Sequence, residues 1–82
     1  MHDANEDPQE VGPPRGQYAN YFKIGHNAFE FIFDFGQLYN GGMEAHVHTR
    51  IVTSPFYAKE LLAMLREAVE QYEQSFGALP KE

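Results

Sequence analysis

The sequence predicts an α+β domain of β-β-β-α order: a three-stranded antiparallel sheet with one long C-terminal helix on one face, completed by dimerisation. Three observations carry this. Two aromatic-rich runs, residues 18–24 and 29–35, flank the turn-like Gly25-His26-Asn27-Ala28. An alternating run follows at residues 44–53. Apolar residues then recur at helical spacing between Ala58 and Phe76.

The turn sets the first register, and a slip of one residue would turn every side chain to the wrong face. A two-residue turn at His26-Asn27, or a four-residue turn from Gly25 to Ala28, sets Ile24 opposite Phe29, Phe22 opposite Phe31 and Tyr18 opposite Phe35. On the other face Lys23 meets Glu30 and Tyr21 meets Ile32. Residues 36–43 contain three glycines and predict a longer, mobile connection. In the third strand, alternation puts Ala45, Val47, Thr49 and Ile51 with the phenylalanines, and His46, His48, Arg50 and Val52 on the opposite face.

Ser54-Pro55 reads as an N-cap and first helical residue: serine accepts from an orphan backbone N–H, and proline has none to leave unpaired. Ala58, Leu61, Leu65, Ala68 and Tyr72 recur at intervals of three and four, with Leu62, Val69 and Phe76 alongside at sevens. Gly77 and Pro80 stop the helix.

Length and composition bound the rest. Eighty-two residues of 9.4 kDa hold one small domain, since a second core would need roughly 50 residues of its own. With 43% hydrophobic and 22% charged residues the chain is too apolar for a disordered polymer, and it has no run near the ~18 apolar residues of a membrane span. Residues 1–15, with three prolines and no apolar period, predict a disordered acidic tail before a single domain at residues 16–80. Twelve acids against six Lys and Arg disfavour nucleic-acid phosphates and anionic membranes. No cysteine and no signal-like N-terminus make the cytoplasm the default compartment.

One helix shelters one face of such a sheet, whereas the other face and the strand edges stay open, an aggregation hazard that self-association relieves. A homodimer or higher homo-oligomer is therefore expected, with a two-fold dimer the simplest case.

Candidate chemistry is sparse. His46-x-His48 puts two imidazoles on one strand face, and Asp34 or Glu30 could add a ligand from across the ladder, but a metal site needs at least three convergent ligands. Paired histidines on a polar strand face are more often solvent-facing or interface groups, or a pH-sensitive pair beside Arg50. No cysteine nucleophile, Gly-x-Ser-x-Gly elbow, Walker glycine loop or His-Glu-x-x-His motif is present, so no enzyme activity, cofactor or metal is expected. Asp34-Phe35-Gly36 copies a kinase tripeptide, but without a glycine-rich loop or catalytic loop it reads as a strand end and its turn. Strand-strand-strand-helix topology repeated by dimerisation also describes the Pur-alpha and Whirly groups, which bind single strands on their sheets. The acidic balance argues against that alternative.

Tyr18-Ala19-Asn20, Asp34-Phe35-Gly36, the run from Arg50 to Pro55, Ala58-Lys59, and Tyr72-Glu73 with Phe76-Gly77 together resemble the bacterial and archaeal family called domain of unknown function 3467. The resemblance covers about residues 17 to 77 and implies a small stand-alone protein without an assigned activity. His46 and His48 depart from the family's pattern.

The expected role is a cytoplasmic, homo-oligomeric protein-binding or assembly module without catalytic residues, which also holds an unidentified protein partner. Its expected contact residues are Tyr21, Ile32, His46, His48, Arg50 and Val52 on the open sheet face, with Tyr39 and Met43 secondary.

Overall fold

The computed structural model describes residues 8–12 and 15–81. Strand β1 (Tyr21–His26), strand β2 (Phe31–Tyr39) and strand β3 (Glu44–Thr53) form an antiparallel sheet of order β1-β2-β3, followed by helix α1 (Pro55–Phe76). The architecture is the expected α+β arrangement of three antiparallel strands and one C-terminal helix. Part of the predicted tail, residues 1–7 and 13–14, lies outside the described residues; residues 8–12 and Arg15 are exposed.

The tip of the first hairpin lies two residues further along the chain than the sequence reading puts it. Phe22 pairs with Phe35, Ile24 with Phe33 and His26 with Phe31, in place of Phe22 with Phe31 and Ile24 with Phe29. Asn27 is the physical reason. Its Oδ1 accepts from the backbone N–H of Phe29 at 2.7 Å and of Glu30 at 3.0 Å, while its own N–H donates to the Glu30 carbonyl at 3.0 Å. The asparagine side chain thus does the work of a backbone carbonyl and moves the tip to Ala28-Phe29. Phe29 is consequently exposed in the turn, Lys23 faces Asp34 instead of Glu30, and Tyr21 faces Gly36 instead of Ile32. The displacement is an even number of residues, so Phe22 and Ile24 still share a face with Phe31, Phe33 and Phe35.

Half of the segment read as a long mobile connection is strand. β2 runs through Gly36 to Tyr39, and only Asn40-Gly41-Gly42 turn the chain, with φ of 57°, 65° and 88°. Asparagine and glycine are the residues that tolerate three successive left-handed conformations.

Between Phe35 and Gly36 the β2–β3 register slips by one residue: Phe35 pairs with Thr49, but Gly36 pairs with Val47, which leaves His48 as the extra residue of a β-bulge. Before the slip, Ile51 and Thr49 lie with the phenylalanines and Arg50 and Val52 lie opposite, as alternation predicts. Beyond it the parity of β3 is reversed. His46 pairs with Gln37 and its ring meets the Tyr39 ring edge-on at 4.8 Å, so His46 leaves the face of Arg50, and Val47, opposite Gly36, leaves the phenylalanine face. Alternation fails here because it assumes an unbroken ladder.

α1 begins and ends as predicted. The Ser54 side chain accepts from the Tyr57 N–H at 3.2 Å, Pro55 fills the first turn, and Gly77 with φ of 101° takes the C-cap, donating to the Glu73 carbonyl.

Candidate functional site: an open apolar cleft and a cross-strand ion pair

The apolar stripe of α1 and the phenylalanine face of the sheet look at each other across a cleft of about 670 Å³. Phe22, Ile24, Phe31, Phe33 and Phe35 line one wall; Ala58, Leu61, Leu62 and Leu65 line the other, with Lys59 at the lip. The rings brace one another within the sheet, Phe22 edge-on to Phe35 at 5.9 Å and Phe31 beside Phe33 at 6.3 Å. They do not reach the helix closely enough to exclude water. Ala58 is the helix's one buried residue, whereas Leu61 is 46%, Leu62 53% and Leu65 58% exposed. Strand-to-strand contacts dominate the packing and helix-to-sheet contacts are sparse. The sequence placed this helix on this face; what it could not give is the gap between them.

The opposite face is organised by charge. Arg50 stands directly across from Asp34 and grips it with two hydrogen bonds, Nε to Oδ1 at 2.7 Å and a terminal guanidinium nitrogen to Oδ2 at 3.0 Å. Asp34 is the buried partner of the two, held in the central strand, while the Arg50 side chain stays largely in solvent. The hydrogen bond from Arg50 is the main reason the Asp34 carboxyl sits below its ordinary value; the charges of Arg50 and Lys23 add to the effect and burial opposes it. The same bond raises Arg50.

A group whose pKa is lowered by folding adds stability that is complete above the unfolded value, about 3.9 for aspartate. That contribution is lost as pH falls from there through the folded value. Arg50→Gln should therefore raise the Asp34 pKa in an NMR titration and flatten the part of the acid-unfolding curve below about pH 4 that this carboxylate supplies. An unchanged Asp34 titration in the variant would contradict the assigned cause.

Of the residues expected to meet a partner, Ile32, Arg50 and Val52 share the open face, with Ile32 paired to Val52 and to Gly25, and Tyr21 opposite Gly36 at its other end. His46 and His48 do not join them. Nε2 of His46 lies 3.2 Å from Oε1 of Glu44. The His48 ring is tied at both nitrogens: Nε2 donates to the Tyr18 carbonyl at 3.1 Å, and Nδ1 shares a hydrogen bond with the Thr49 hydroxyl at 2.7 Å. A carbonyl can only accept, so Nε2 is the nitrogen that carries a proton in this contact, while the Thr49 hydroxyl can serve Nδ1 as donor or acceptor. The Thr49–His48 contact has the spacing of a nucleophile and its base, with the Tyr18 carbonyl as the group that orients the ring. Among the described residues no three His, Asp or Glu side chains converge on one point, and Asp34, considered above as a third ligand, is committed to Arg50.

Two further residues matter that sequence reasoning gave no such role. The Asn20 Oδ1 accepts from the Leu38 N–H at 2.9 Å while its own N–H donates to the Gly36 carbonyl at 3.0 Å, bridging the ladder past the end of β1 at the register slip. Gly36, read as the start of a loop, is buried in β2 and packs flat against the backbone of His46 and Val47. The signal for both was their place in the short motifs Tyr18-Ala19-Asn20 and Asp34-Phe35-Gly36.

The fold and site thus define a small strand–helix domain whose Asn20, Asn27 and Ser54 side chains fasten its own backbone and whose apolar surfaces stand open. The chain matches the family described as "Protein of unknown function (DUF3467)" over residues 6–81, nearly its full length, and belongs to that family. No curated protein and no solved structure matches it. Among the described residues no helix is long and apolar enough to cross a membrane.

Proposed function

We propose that this protein is a homo-oligomeric, non-catalytic binding or assembly module of the cytoplasm. It associates with itself through the phenylalanine face and the stripe of α1, and presents the face of Tyr21, Ile32, Arg50 and Val52 to another protein. The observation that carries this reading is the open cleft: five sheet residues and four helix residues, all apolar, face each other across it and all but Ala58 stay accessible to water. Burying a leucine or phenylalanine stabilises a fold by about 1.5–3 kcal/mol, so a domain this small has a strong drive to cover them. The placement of Asp34 and Arg50 supports a division of labour between the faces. Their ion pair keeps one face of the sheet polar at its centre, and the exposed Val52 stands beside it.

Light scattering is expected to give at least twice the 9.4 kDa of one chain at micromolar concentration. Val52→Asp should leave that mass unchanged and abolish capture of the partner from a nuclease-treated host extract. A stable monomer would overturn the self-association. Capture that survives Val52→Asp would overturn the assigned face, and capture lost on nuclease treatment alone would favour a nucleic-acid partner.

A further inference from the structure

The helix is longer than the cleft it lines. α1 has 22 residues, about 33 Å, but only its first three turns, from Pro55 to Leu65, face the sheet. The remaining eleven residues, roughly 16 Å, reach past the cleft while keeping the same stripe: Val69 continues the line of Leu62 and Leu65, and Tyr72 and Phe76 follow at helical spacing. These three side chains stay between 38% and 76% exposed. Each subunit therefore carries an open apolar cleft and an apolar half-helix that extends past it with its stripe exposed among the described residues.

We infer that the C-terminal half of α1, residues 66–76, docks into the helix–sheet cleft of a second copy of the chain, so that two subunits related by a two-fold axis each fill the other's cleft. The inference rests on the self-association proposed above and specifies which surfaces meet. A two-fold arrangement satisfies both needs at once and closes, leaving no apolar surface to propagate a filament.

Area supports it. The chain exposes 7748 Å², whereas a compact protein of 9.4 kDa exposes about 5,000 Å². Crediting residues 1–16 with the full surface of an extended chain still leaves roughly 900 Å² in excess, close to the ~800 Å² that each partner contributes to a standard interface. Charge supports it as well. On the overhanging half Glu73 flanks the line of Val69, Tyr72 and Phe76, and the lip of the cleft carries Lys59.

The chain has no cysteine, so introduced thiols report on contacts unambiguously. A Phe33→Cys chain mixed with a Val69→Cys chain should form a disulfide-linked pair on mild oxidation, and a mixture with Glu67→Cys, on the outer side of the helix, should not. Ile24→Cys mixed with Tyr72→Cys repeats the test should either first variant lose its helical circular dichroism. No cross-link from either apolar pair in a chain that sediments as a dimer overturns the docking and leaves the self-association standing. A chain that sediments as a monomer at micromolar concentration overturns both.

Discussion

Gly36→Ala should destabilise the protein by about 3 kcal/mol or more, enough to unfold a small domain in part under native conditions. A Cβ at this position would lie well inside contact distance of the His46 carbonyl oxygen and 2.9 Å from both the His46 carbonyl carbon and the Val47 Cα. These are backbone atoms in the neighbouring strand, so no rotamer change relieves the clash; either the strands separate or the slip between Phe35 and Gly36 is lost. The glycine is required for space and not for a left-handed conformation, since its φ is not positive. Gly25→Ala is the matched control: it is also a strand glycine, and a Cβ there meets nothing within 4 Å. Urea unfolding should separate the two, with Gly25→Ala near the parent midpoint or above it and Gly36→Ala far below. Equal midpoints would mean that the close strand approach at Gly36 does not exist in solution.

The same glycine marks where the sequence was legible and where it was not. Helix α1 could be read to the residue because its limits are local chemistry: a serine that accepts, a proline that has nothing to donate, a glycine that takes the left-handed cap. The third strand was equally plain, since alternation and the Ser54-Pro55 stop bound it. The faces of Phe22, Ile24 and Phe31 to Phe35 survived a wrong turn because the displacement was even.

What failed depended on long-range partners. Asn27 could have been read as a side-chain acceptor for the turn, but whether it or the glycine before it governs the tip depends on how far the strands pair. The bulge at His48 has no signature of its own; only the demand of Gly36 for a bare backbone opposite it reveals the slip. His46 and His48 therefore looked like a pair on one face, whereas His46 pairs with Gln37 and His48 is itself the unpaired residue of the bulge. Of the candidate contact set, Ile32, Arg50 and Val52 were legible as a cluster because they lie on the regular side of that irregularity. The apolar surplus was visible in composition and period alone, whereas the open cleft that displays it required coordinates.

Self-association built on that cleft makes stability depend on concentration. When the folded state is a dimer and the unfolded state is not, each tenfold increase in protein favours folding by about 1.4 kcal/mol of dimer, which should raise the Tm by roughly 3–6 °C. Leu65→Asp should abolish this dependence. Leu65 lines the cleft near the middle of α1, where it faces its own sheet and adjoins the overhanging half of the helix, and it is 58% exposed in the isolated subunit. A carboxylate there costs a lone subunit little, because water still reaches the site. In a filled cleft it would be buried among Phe22, Phe33 and Phe35 with no partner, a penalty of several kcal/mol. The two situations are thus distinguishable by calorimetry at two protein concentrations. If the cleft is filled by another copy, the parent Tm rises with concentration, while the Leu65→Asp variant melts lower, at one temperature throughout, and sediments at half the mass. If each helix instead closes onto its own sheet, both proteins give a Tm independent of concentration, and Leu65→Asp is destabilised without any change in mass.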